Sequence, residues 1–225
     1  MSHLQTFTEA KVGVAAALHA GLGGATYGDA ILVISSLLSA IAAQLWPGDG
    51  IDRKRFVELW QVYSDPSLSP TQISLPFLIA SLRKDEDNVA VQALEQQNRA
   101  AFCGYPEIDT LVIEGPTVDL SERQVHTLAP HLSCKDIRCY SYPAVFYRDV
   151  RSPYVHEFSP GPHSSAYSMS RNEDVVSYVN ESPGGRTIHF GMGFLTAVVR
   201  SIAASAETDF ARAPLPHPAS WWVNG

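Results

Sequence analysis

Cysteine is scarce in this sequence: Cys103, Cys134 and Cys139 are the only three in 225 residues. An odd set at that density is not the disulfide framework of a small secreted domain, and it reads as reduced thiols in a cytoplasmic protein. Charge is sparse as well, at 17% of residues against 45% apolar. That balance excludes a disordered chain and supplies apolar surface for one sizeable core. Excess positive charge is missing too: the net charge of −7 excludes a general nucleic-acid coat. Residues Met1 to Glu9 lack the basic start and apolar run of a secretory signal. No Gly-Lys-Ser/Thr follows the glycine run Gly21 to Gly24, which removes a phosphate loop, and no Gly-x-Ser-x-Gly elbow supports a serine hydrolase. His126, His131, Cys134 and Cys139 lie close enough in sequence for zinc to be weighed. Pro130 interrupts them and no Cys-x2-Cys pair appears, so the expectation is no metal and no cofactor.

One uncharged run, Ala30 to Trp46, approaches the length that spans a bilayer. Ser35, Ser36, Ser39 and Gln44 within it favour a buried central helix, and no membrane partner is expected. The charge is unevenly spread: residues 1 to 120 hold 7 Lys/Arg against 14 Asp/Glu, and residues 121 to 200 hold 8 against 7. The second region is therefore close to neutral inside an acidic chain, which leaves room there for a phosphate ligand.

Apolar periodicity predicts a mainly helical fold. Helices are expected over Phe7 to His19, Tyr27 to Trp46, Asp52 to Tyr63, Ser74 to Lys84 and Asp85 to Ala101. Further helices are expected from a Ser121/Gln124 capping box, over Ile137 to Val150 with Pro143 marking a kink or a late start, and over Met192 to Ala206. Arg53, Lys54 and Arg55 form a short basic cluster that reads as a solvated face. Leu111 to Ile113 is a short β-like run, and residues 175 to 190 read as a small β-hairpin around Ser182 to Gly185. Residues 1–210 are taken as one helical domain, and 211–225 as a proline-rich tail carrying the Trp221-Trp222 pair.

The richest chemistry lies between Tyr147 and Phe158, where Arg148, Arg151 and His156 stand among two carboxylates and two phenols. Arginine offers a permanent forked cation suited to phosphate, and histidine exchanges protons near neutral pH. The run Arg151, Ser152, three residues and His156, led by Tyr147-Arg148 and followed by Glu157 and an aromatic, resembles the HEPN superfamily. The resemblance implies a helical bundle of HEPN type acting as a metal-independent endoribonuclease, in a homodimer, in a toxin or phage-defence setting with an antitoxin or regulatory partner. Arg151 and His156 would be catalytic, with Arg148, Ser152, Tyr154 and Tyr147 binding RNA. The alternative within the family is a catalytically silent domain that binds RNA, a nucleotide or a protein.

Positions five apart on an α-helix lie roughly 140° apart, so Arg151 and His156 would not share a face. Pro153 permits a break or a fresh helix start between them, either of which would let the two side chains converge. A purely structural account stands beside this one, with Arg151 paired to Asp149 or Glu157 and His156 hydrogen-bonded in the interior. Tyr142, Tyr147 and Tyr154 are read as core residues first and base-stacking residues second. His163 is read as a surface residue and His189 as part of the hairpin.

Overall fold

A computed structural model describes residues 2–69, 71–97, 112–166, 171–181 and 185–224. The chain is mainly helical. Helix α1 (His3–His19) starts in a capping box, with the Gln5 amide donating to Ser2 Oγ at 3.1 Å. Helix α2 (Tyr27–Leu45) opens the same way, the Thr26 amide donating to Asp29 Oδ2 at 2.8 Å. Its apolar positions face several neighbours at once, so Ile31, Ile34, Leu38 and Ile41 are all buried. Among the described residues α2 is the one helix long and apolar enough to cross a membrane. It packs against α1, α3 (Asp52–Tyr63) and the last long helix, in the position of a central core helix.

Arg55 explains part of the basic cluster. Its guanidinium donates to the Trp46 carbonyl at 3.2 Å and the Gly48 carbonyl at 3.1 Å, closing the carbonyl end of α2, and pairs with Asp52. The chain continues through β1 (Gln72–Ile73), α4 (Leu75–Lys84) and α5 (Asn88–Gln97). The rest of the helix expected to Ala101, together with Cys103 and Leu111, lies outside the described residues. Next come β2 (Val112–Glu114), α6 (Gly115–Val118) and β3 (Leu120–Ser121). Helix α7 (Glu122–Leu128) carries the capping box read from Ser121 and Gln124.

The helix expected over Ile137 to Val150 is divided. Helix α8 (Cys134–Arg138) stops, the chain turns, and α9 (Tyr142–Val145) restarts with Pro143 in its first turn. Proline has no amide to continue the earlier ladder but is well suited to a first turn. Ser141, just before it, bridges to Ile73. A wide turn (Phe146–Arg151) and α10 (Ser152–Glu157) follow.

The hairpin is β4 (Val176–Glu181) with β5 (Gly185–Phe190), and β2 joins it antiparallel, Ile113 opposite Tyr178. The β-like run at 112–114 is thus an edge strand. Helix α11 (Met192–Phe210) runs four residues beyond its expected end. The segment after it packs on the helices: the Leu215 amide donates to the Leu45 carbonyl, and Trp221, buried, meets Trp46 edge-on at 5.9 Å.

A buried carboxylate ties these parts together. Asp119 accepts from Tyr178 Oη at 2.6 Å, Tyr142 Oη at 2.7 Å and the Leu75 amide at 2.9 Å. Burial pushes its pKa up to about 7, against the lowering effect of those hydrogen bonds and of the Arg186 charge.

Candidate functional site

Residues 142 to 157 form one continuous helical path with a widened middle. The Ser152 amide donates to the Tyr147 carbonyl five residues back, a π-type turn. Pro153 gives the physical reason. Its ring would strike the carbonyl four residues earlier, that of Asp149, and a wider preceding turn moves that oxygen aside. The released Asp149 carbonyl accepts instead from the Gly161 amide at 3.2 Å and Ser164 Oγ at 2.8 Å. Such wide turns recur at functional sites.

Of the two outcomes Pro153 permits, the fresh start is made, since α10 begins at Ser152 with Pro153 in its first turn, but the backbone does not break and the two side chains do not converge. Arg151 (φ −59°, ψ −51°) and Ser152 (φ −63°, ψ −48°) both have right-handed helical angles. Arg151 and His156 therefore leave the helix on separate sides, roughly 140° apart for five residues. Ser152, about 100° round from Arg151 and about 40° from His156, falls within that arc.

Arg151 is half-buried. Its guanidinium lies 4.9 Å from the centre of the Tyr147 ring, and one terminal nitrogen donates to Ser39 Oγ of α2 at 3.5 Å. Its buried Nε has no hydrogen-bond partner, and no carboxylate pairs with this cation among the described residues. The pairing of Asp149 with Arg151 weighed from sequence is not made. Asp149, buried, takes Arg148, whose Nη2 donates to Oδ2 at 2.6 Å, and Arg148 also donates to the Cys139 carbonyl at 3.1 Å. Arg148 is thus a compensated charge. Tyr147 stands between Arg151 and Phe56, whose ring it meets edge-on at 5.3 Å.

His156 is exposed in the last turn and, among the described residues, has no hydrogen bond or ion pair, so it is not an interior histidine. Tyr154, expected among the RNA-binding residues, is buried at 4% exposure against α2 and does not face solvent. A Cβ on Gly28 would come within 2.5 Å of the Tyr154 ring, so the absent side chain there lets α10 lie directly on α2.

Two features escaped the sequence reading. Phe158 is 79% exposed and holds a left-handed backbone (φ 55°, ψ 26°), unfavourable for a bulky side chain. It follows His156 by two residues, and only the aromatic ending of the motif hinted at it. His189 is in the hairpin as expected but lies inside, its ring tilted against Tyr27 at 4.7 Å, with Nδ1 3.2 Å from the Ser165 carbonyl; burial lowers its pKa. Both faces of β5 are covered, and alternation alone does not reveal that.

Compared with known proteins, the chain matches no family model, no curated protein and no solved structure.

Proposed function

We propose that this protein is a metal-independent endoribonuclease of HEPN type that works as a homodimer, with Arg151 and His156 as its catalytic residues. The observation that carries the reading is Arg151: a half-buried guanidinium, seated on Tyr147, with no carboxylate partner among the described residues. A cation withdrawn from water without a counterion is unfavourable, and an incoming phosphate would compensate it. His156, on the same helix and open to solvent, supplies proton transfer.

The chemistry is a transesterification. A base removes the proton of a ribose 2′-hydroxyl, the 2′-oxygen bonds to the adjacent phosphorus, and the phosphorus–O5′ bond breaks as an acid protonates the departing oxygen. Two His156 copies, one per protomer, serve as base and acid. Arg151 stabilises the charge that builds on the phosphoryl oxygens. The products are a 2′,3′-cyclic phosphate and a 5′-hydroxyl. A toxin or phage-defence role, with an antitoxin or regulatory partner, belongs to the same reading.

A second reading is favoured by one observation, the unbroken helix at Pro153, which keeps Arg151 and His156 on different sides. It is a silent domain that binds RNA, a nucleotide or a protein through Arg151 alone. The two separate in one assay, with RNA incubated in excess chelator with the protein, Arg151→Ala and His156→Ala. The nuclease reading expects cleavage by the first preparation only. Equal cleavage by all three would refute it, and binding without cleavage would favour the silent domain.

A further inference from the structure

Helix α7 and the first turn of α8 bring Glu122, His126 and Cys134 together, with their donor atoms all within 4.8 Å of one another. We propose that these three residues form a site for one zinc-class divalent ion, its fourth position open to water or a small ligand. Glu122 and His126 are four residues apart on α7 and so share a face. The turn from Pro130 to Ser133 then delivers Cys134. Ser133 fixes that end of α8 by accepting from the Asp136 amide at 3.2 Å.

The geometry is that of donors around a common centre. His126 Nε2 lies 3.3 Å from Cys134 Sγ and 3.9 Å from Glu122 Oε1. With metal–ligand bonds of about 2.0–2.3 Å, neighbouring donors of a tetrahedral zinc stand about 3.3–3.8 Å apart, a spacing that the first pair has and the second slightly exceeds. The same arrangement argues against a nucleophilic cysteine with a histidine relay. In a relay the acid holds the ring nitrogen opposite the nucleophile. Here the carboxylate and the sulfur both face Nε2.

The donor set selects the ion. One thiolate, one imidazole and one carboxylate suit zinc or cobalt and not magnesium or calcium, which take all-oxygen shells. The carboxylate is fixed in place, since Arg138 Nε donates to the same Glu122 Oε1 at 2.8 Å. Arg138 is itself fixed by the Trp222 carbonyl at 2.9 Å and by the Trp222 ring, 4.8 Å away. An orienting group on a ligating carboxylate is a regular part of metal sites, and a carboxylate oxygen has a second lone pair for the ion. All three ligand residues are half-buried, so an ion can enter.

The other residues that sequence spacing suggested as ligands are engaged elsewhere. Cys139 Sγ accepts from Arg53 at 3.7 Å, and His131 Nε2 lies 2.7 Å from Asp87 Oδ2. The site uses no residue of the Arg151–His156 helix, so its test does not depend on nuclease activity.

The test is titration of the chelator-stripped protein with cobalt(II), followed by absorption and calorimetry, with circular dichroism confirming that each variant is folded. The proposal expects one equivalent bound, with a thiolate-to-cobalt charge-transfer band. Cys134→Ser removes the band, and His126→Ala and Glu122→Gln each weaken binding at least about tenfold. Cys139→Ser changes it less than about twofold. Should Cys134→Ser not fold, Glu122→Gln, whose carboxamide has the shape of the carboxylate and can still accept from Arg138, decides the matter. A spectrum without the thiolate band, a band that persists in Cys134→Ser, affinity unchanged in Glu122→Gln, or no binding at millimolar cobalt would overturn the proposal.

Discussion

The amide of Gly161 donates to the carbonyl of Asp149 at 3.2 Å, taking up the acceptor that Pro153 cannot bond. This contact folds the loop after α10 back on the helix that carries Arg151. A Cβ at position 161 would sit 2.5 Å from that carbonyl oxygen and 2.9 Å from Pro153 Cγ, distances no real Cβ tolerates against backbone. Gly161→Ala is therefore expected to cost about 1–3 kcal/mol, the scale of overpacking a buried contact. Urea unfolding followed by circular dichroism measures it, and an unchanged midpoint would show that the loop yields freely.

Arg151→Met should separate stability from activity. The unpaired, half-buried guanidinium is expensive to desolvate, and an apolar side chain of similar length fits the bed of Tyr147. Stability is expected to be unchanged or to rise by up to about 1 kcal/mol, while phosphate-dependent RNA binding falls at least tenfold. A large loss of stability would assign Arg151 a structural role.

Phe158 supports a similar test. Glycine adopts a left-handed backbone without penalty, so Phe158→Gly is expected to stabilise the chain by up to about 1 kcal/mol. An exposed aromatic kept in a strained conformation two residues after His156 is also expected to aid substrate binding, so the variant should bind RNA more weakly. Equal RNA affinity, by fluorescence anisotropy, would remove Phe158 from the site.

Asp119 sets a pH dependence. Its folded pKa, pushed up to about 7 by burial, exceeds the unfolded carboxylate value of 3.8, so the folded state binds the proton more tightly. The stability it contributes is fully present below the unfolded value and is lost as pH rises through about 7. Between those values the slope from this group approaches about 1.4 kcal/mol per pH unit. Asp119→Asn lowers stability throughout by disturbing the two tyrosine hydrogen bonds, but flattens the fall between about pH 4 and pH 7. Parallel curves for the two proteins, from denaturant titrations at each pH, would contradict the assignment.

Local rules read much of this fold correctly. The capping box at Ser121, the core helix Tyr27–Leu45 and the hairpin all follow from short-range patterns. Pro143 marks the late start of α9, but the stop before Ser141 is less legible because the bridge to Ile73 comes from a residue far away in sequence. The effect of Pro153 is only partly legible for a related reason. Proline excludes an amide, and its place marks the fresh start of α10, whereas the wide turn and the Gly161 loop that keep the path unbroken involve residues outside the motif. In the candidate site, the residue types were legible and their partners were not. That Asp149 takes Arg148 and leaves Arg151 unpaired depends on how the helix packs on α2. That Tyr154 is buried depends on Gly28, more than a hundred residues earlier.

The most direct measurement follows one phosphodiester bond. A labelled RNA and its counterpart with a single 2′-deoxy sugar at the cleaved position are incubated in chelator with the folded protein and with His156→Ala, and the new ends are identified. The account predicts a 2′,3′-cyclic phosphate from the all-RNA strand with the unmodified protein, an intact deoxy-substituted bond, and a rate at least about a hundredfold lower for His156→Ala. Cleavage of both strands, or an equal rate from the His156→Ala protein, would contradict it.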